Sequence, residues 1–273
     1  LWFSSILDAV DKIVICFTDA EHWPDLGEAR KRSLAEHRYR DRIVELGLRQ
    51  VKSHNKSSWP EPVQTEYGLL LDKNPRFDEP YRKRATRLLE LLDSHVREAT
   101  NIYTHNPWGE YGHEDHVQVS HLTTTLANKH KTAIWHPNYV SNKSSALMRR
   151  HIRGFGKPYF TMRVDTDRAR EIAETYYKNG AWTWFEEYVW FASEAYVAGP
   201  LEPSSQSGTG AIFPVNYVRL PFDINRPARA QPSIYQQVKR LFKSKIRLER
   251  HPPAHSILRR FDIGRVRSGS ELK

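Results

Sequence analysis

Lys12-Ile-Val-Ile-Cys-Phe-Thr18 is a continuous apolar run that stops at Asp19. A short run without polar alternation is the pattern of a strand buried on both faces of a parallel sheet. Residues 4–10 before it read as the end of a helix, and a polar loop holding Trp23-Pro24 covers 19–25. Helical spacing then extends over 27–48, where Leu34, Ile43, Val44 and Leu46 form an apolar stripe among charges. A second strand is expected at 65–71, after the loop Trp59-Pro-Glu-Pro62. Residues 80–99 form an amphipathic helix with Leu88, Leu89, Leu91, Leu92 and Val96 inward. Strand 101–104, loop 106–112, helix 113–130 and strand 132–135 follow, then strand 159–164 and helix 165–180. Such alternation implies βαβ units, a mostly parallel sheet and helices on both faces. The expectation is therefore a Rossmann-like three-layer α/β/α domain over 1–225. Within it, 200–210 is a Ser/Gly/Pro loop and 211–220 a late strand.

Composition limits the rest. Of 273 residues, 39% are hydrophobic and 27% charged. This is the balance of a globular chain rather than of a membrane bundle or a disordered one. A single cysteine, Cys16, excludes a disulfide framework and a cysteine-rich zinc site; inside its strand it is a small hydrophobe. The net charge is +10, and residues 226–273 carry all of it, with 13 Lys/Arg against 3 Asp/Glu. The first 225 residues are therefore neutral, and the charge gives no reason to expect nucleic acid on the body. In the basic tail, 233–248 reads as an amphipathic helix. Over 235–250, Lys239, Arg240, Lys243, Lys245, Arg247 and Arg250 interleave with Val238, Leu241, Phe242, Ile246 and Leu248. Such a helix lies on an anionic membrane surface or packs on the body with its basic face in water. Nucleic acid ranks third, because no recognised binding fold accompanies the charge. No signal-peptide pattern opens the chain, which fits the cytoplasm, peripheral at a membrane if the tail docks there.

The sharpest local feature is Thr104-His-Asn-Pro-Trp-Gly-Glu-Tyr-Gly-His-Glu-Asp-His-Val117. It runs from the end of a strand into a helix, which is where open α/β sheets bind ligands. His113 and His116 share one helical face at a spacing of three. Two such imidazoles share a metal, divide metal binding and proton handling between them, or meet by chance among 13 histidines. Gly109 and Gly112 give the loop freedom to approach a ligand closely. Glu110 and Asp115 are placed to fix an imidazole tautomer. His105 ends the preceding strand and either positions the loop or makes a structural hydrogen bond. After the next strand, His136 and Tyr139 either line a sugar pocket or belong to an ordinary loop. The aromatic run Gly180-Ala-Trp-Thr-Trp-Phe-Glu-Glu-Tyr188 either stacks a sugar ring or fills the core.

Residues 104–117 resemble the second metal motif of the PIG-L/LmbE-like de-N-acetylases, usually written Gly-His-Pro-Asp-His. Ile13 to Asp19 with Gly27 and Arg30 resembles that family's second strand and its arginine-bearing helix, which Leu46-Gly47 would close. The likeness covers about residues 1–140. It implies a zinc-type divalent metal and hydrolysis of an N-acetyl group on an amino sugar or glycoconjugate. It implies that His116 binds metal, that His113 and Asp115 belong to the catalytic group, and that Arg30 holds substrate. Glu114 stands in place of the usual proline, and Ser33 where many members pair a glutamate with the arginine. The family's first motif, His-Pro-Asp-Asp-Glu, does not occur in 1–273; Glu21-His-Trp-Pro-Asp25 echoes it in the wrong structural context. The expectation is that this chain starts after that motif and is inactive alone. The rival expectation is a non-catalytic glycan- or membrane-surface-binding member.

Overall fold

The computed structural model describes residues 3–20, 23–71, 75–151, 157–184, 188–201 and 214–220. All lie in the first of the two units into which the chain divides, Leu1–Gln231 and Pro232–Lys273. The expected tail helix and membrane segment fall outside the described residues, as do Glu21 and His22 of the motif echo. The architecture is mixed α/β.

The run that opens the sequence reading is strand β1, Ile13–Ala20. Helix α1, Pro24–Ala35, begins with a proline whose missing N–H costs nothing at a helix start, and it buries Leu26, Ala29 and Leu34. The helix ends there. A 3-10 turn at Arg40–Arg42 leads into strand β2, Ile43–Gln50, which pairs parallel to β1 from Ile13↔Ile43 to Ala20↔Gln50. The single helix expected over 27–48 is thus corrected to helix, turn and strand. Apolar residues at 43, 44, 46 and 48 satisfy a period of two as well as one of 3.6, and the β-branched pair Ile43-Val44 favours the strand. Leu46-Gly47 accordingly lies inside β2 rather than at a helix end, with Gly47 at φ +63°.

Two further corrections are local. Residues 4–10 form turns and a 3-10 helix at Leu7–Ala9, not the end of an α-helix. The strand expected at 65–71 is a two-residue antiparallel hairpin, β3 Gln64–Thr65 with β4 Gly68–Leu69.

Helix α2, Pro75–Glu98, and helix α3, Glu114–His130, carry the main core. Tyr81, Ala85, Leu88, Leu92 and Val96 recur every three or four residues and meet Val119, Leu122 and Leu126 of α3. Cys16 packs against this cluster, and burial pushes its thiol up to about 12, so it is inert.

Strand β5, Asn101–Tyr103, pairs parallel with β6, Ala133–Pro137, and α3 is the crossover between them. Beyond β6 the direction reverses. Strand β8, Tyr159–Arg163, and strand β9, Ser193–Ala198, pair antiparallel, and β9 is also antiparallel to β6, giving the order β5-β6-β9-β8. The larger sheet is therefore mixed rather than mostly parallel. Among the described residues, parallel pairing is confined to β1–β2, β5–β6 and the short pair of β7, Tyr139–Ser141, with β10, Asn216–Val218. Helices α4, Ser145–Arg150, and α5, Thr166–Lys178, complete the described elements. Among the described residues no helix is long and apolar enough to cross a membrane.

Candidate metal centre

The loop after β5 is built around Asn106 and Trp108. Thr104 N–H extends the β5–β6 ladder to Trp135 O at 3.1 Å. The Asn106 amide donates to the carbonyls of Pro137 (3.0 Å) and Tyr139 (2.9 Å), while its oxygen accepts Glu110 N–H at 2.9 Å. Trp108 is fully buried, donates Nε1–H to Tyr139 O at 2.6 Å, and packs on Val117, Val140, Leu147 and Val197. These bonds tie the loop to the neighbouring strand and leave its tip to Gly109, Glu110 and Gly112, all at positive φ. For Glu110 that backbone costs about 1–2 kcal/mol, which the polar bonds around it offset. At Gly109 a Cβ would stand 2.6 Å from the carbonyl oxygen of His113. Gly109→Ala is expected to destabilise the fold by roughly 1–3 kcal/mol in urea unfolding, whereas Gly47→Ala, with open space around it, is expected to cost about 1 kcal/mol. Equal losses would remove the close approach as the reason for Gly109.

At this tip four imidazoles line up. Ring centroids are 4.8 Å apart for His54–His113, 5.0 Å for His113–His116 and 3.9 Å for His105–His116, all stacked. Tyr111 meets His113 and His116 edge-on, and Phe3 meets His105 edge-on at 5.6 Å.

Beneath His105 and His116 lies the fully buried Glu110 carboxylate. Its Oε2 is 2.6 Å from Nδ1 of His116 and 3.1 Å from Nδ1 of His105, and its Oε1 accepts Asn106 N–H at 2.8 Å. Burial alone would raise the Glu110 carboxyl, but the two imidazoles outweigh it and hold the group at about 2. An ionised carboxylate only accepts, so each facing Nδ1 is the donor and Nε2 of each ring is the atom left for a ligand. One potential ligand atom from each of His105, Glu110 and His116 lies within 4.8 Å of the others. About a fifth of the His105 and His116 side chains stays open to solvent, which permits access. Burial also lowers His116, favouring the neutral ring that a metal needs.

The second group, His54, His113 and Glu114, is equally close-knit but chemically different. Glu114 accepts four hydrogen bonds, from the backbone N–H of Asn55 (3.2 Å), Lys56 (3.0 Å) and Ser57 (3.1 Å) and from Trp59 Nε1 (3.0 Å). Its oxygens anchor the 53–59 loop rather than offer themselves to a metal, and burial raises this carboxyl. Lys143 lies over the Trp59 ring and donates Nζ to Asn55 Oδ1 and Gly112 O, clamping that loop to the metal-binding one. Burial pulls its amine down to about 8. His113 is the N-cap of α3, its Nδ1 accepting Asp115 N–H at 3.1 Å, so the proton of the neutral ring sits on Nε2. Burial pushes His113 and His54 well below the usual imidazole range, with their charged and imidazole neighbours adding to it.

The other expected site residues divide into two sets. Asp115 is buried with its carboxylate on Arg84 Nη2 (2.7 Å), Ser53 Oγ and Gln50 Nε2 (3.2 Å), so only its backbone N–H acts on an imidazole. Arg30 comes near this network, donating to Gln50 Oε1 at 2.9 Å, while Ser33 is turned back on Ala29 O. His136 and Tyr139 are fully buried. His136 Nδ1 meets His105 O at 2.9 Å, and burial lowers its ring to about 4. Tyr139 donates to Glu194 Oε1 at 2.8 Å, within a buried cluster that also holds Ser4, Ser5 and Tyr196. The sequence reading assigned no role to His54, Lys143 or Arg84. His54 is some sixty residues from His113 and nothing local marks it, whereas Arg84 could be suspected as a charge on the inner side of an amphipathic helix. No family model, curated protein or solved structure matches this chain.

Proposed function

We propose that the chain is a PIG-L/LmbE-like protein with a Rossmann-like three-layer arrangement, and that its 104–116 loop holds zinc or another divalent metal to remove an N-acetyl group from an amino sugar or glycoconjugate. One arrangement carries the reading: two imidazoles, His105 and His116, oriented by the buried Glu110 carboxylate at the end of a strand. Nitrogen ligands with a carboxylate behind them suit zinc. The residues present fit part of the group's shell: His116 and His105 would be two of the three protein ligands that a catalytic zinc takes. A zinc-type metal supplies Lewis acidity and, at neutral pH, a nucleophile strong enough to attack an amide.

The chain's own residues supply the rest. Glu110 fixes both ligand tautomers. His113 holds a proton at Nε2 and offers it as a hydrogen bond to the developing oxyanion. Asp115 fixes His113 through its backbone N–H. Arg30, beside Tyr111 and Asp115, is the cation that meets polar groups of the substrate. His136 and Tyr139, being buried, are left out of the substrate set. The cytoplasm is the proposed location, with 235–250 the segment that would meet an anionic membrane.

The test follows acetate release from N-acetylglucosamine and its glycosides by the full gene product that contains residues 1–273. Release that disappears on chelation and returns with zinc is the expected result. Zinc binding without acetate release from any of them would discard the hydrolase and leave the glycan-binding rival.

A further inference from the structure

Helix α5 presents Thr166, Arg170, Glu174 and Tyr177 at spacings of four, four and three, which is one face. The aromatic run after the helix does not continue it as a buried helical stripe. Its described residues from Ala181 onward are non-helical, and Trp182, Tyr188 and Trp190 are half-buried beside that face. Together they line a groove of about 480 Å³, a volume within the usual range for small-molecule sites. Tyr177 is 50% exposed and Val189 81% exposed, so the rim is open among the described residues.

The walls are aromatic, but charge of both signs sits on the helix side. Arg170 pairs with Asp167 at 2.9 Å, and Glu174 follows one turn later. An apolar ligand would strip water from these charges without replacing its hydrogen bonds. An anion or a cation would suit one and oppose the other. A pyranose fits both features: its C–H face lies on aromatic rings, and its hydroxyl rim donates to a carboxylate and accepts from a guanidinium.

A row of packed rings leads from the groove to the metal centre. Tyr188 meets Trp184 at 5.9 Å, Trp184 meets Tyr111 at 4.8 Å, and Tyr111 meets His116 at 5.2 Å, each edge-on. We propose that this groove is a carbohydrate subsite, holding a distal pyranose of an oligosaccharide whose N-acetylated residue lies at His116. The substrate class is then an oligosaccharide or glycoside rather than a free monosaccharide. The assignment to amino sugars rests on the proposed function; the stacking site stands on the groove.

The test titrates the full chain with N-acetylglucosamine and with its β-linked trisaccharide, following tryptophan fluorescence and calorimetric heat. The trisaccharide is expected to bind at least about tenfold more tightly, and Tyr177→Ala to remove most of that advantage without changing monosaccharide affinity. Tyr177→Phe keeps the ring and is expected to keep the advantage. Equal affinities for the two sugars, or a trisaccharide affinity untouched by Tyr177→Ala, would overturn the subsite. Acetate release from both sugars with no trisaccharide advantage would sink the groove alone. A trisaccharide advantage without acetate release would sink the hydrolase alone.

Discussion

His116→Ala is expected to lower zinc affinity by at least ~100-fold, because it removes a ligand nitrogen that no neighbour replaces. Glu110→Gln is expected to cost ~10–100-fold, since an amide no longer dictates which ring nitrogen of His105 and His116 carries the proton. His113→Ala is expected to leave zinc affinity nearly unchanged while abolishing acetate release, because its role is a proton at Nε2. Equilibrium dialysis against a zinc buffer separates the three variants, and circular dichroism confirms that each is folded. Undiminished zinc binding by His116→Ala would remove this loop as the metal centre. A loss at His113 as large as at His116 would move the metal toward the His54–His113 pair.

The largest loss of stability is expected at Arg84. Its side chain and that of Asp115 are 5% and 2% exposed, and the guanidinium also donates Nε–H to Gln118 Oε1 at 2.9 Å and lies 4.1 Å over the Phe17 ring. Arg84→Met leaves the Asp115 charge buried with only Ser53 and Gln50 beside it, a loss of roughly 3–5 kcal/mol. The double variant Arg84→Met with Asp115→Leu removes both charges and is expected to recover a large part of that loss. Urea unfolding of the two variants measures it. If the double variant is no more stable than the single one, the pair contributes through packing rather than charge. Inactivity of an Asp115 variant would therefore report a damaged fold before it reported a catalytic step.

The site was legible where its chemistry is local. His113 as an N-cap, His116 one turn later, the glycines at the loop tip and Glu110 as partner of an imidazole all lie within a dozen residues. The groove was half legible: the aromatic run was seen, but its choice between core and sugar platform depended on α5. The same limit explains the fold. Helices α2 and α3 follow from apolar residues at helical spacing, and β1 from an unbroken apolar run. Strand β9 went unseen because Glu194 interrupts its pattern; Ser4, Ser5 and Tyr139, arriving from distant segments, join Tyr196 of the same strand to make a buried carboxylate tolerable there.

By itself the sequence determined an α/β chain, a neutral body with a basic tail, and a histidine loop between a strand and a helix. These are matters of periodicity and caps, where the interacting groups lie within a few residues of one another. Tertiary structure alone decided that β9 reverses the sheet, that Asp115 belongs to Arg84, and that His54 and Lys143 close on the loop. Each of these rests on a buried polar or charged group whose partner lies from about thirty to about 190 residues away, and such a group is stable only once the whole chain has brought that partner to it.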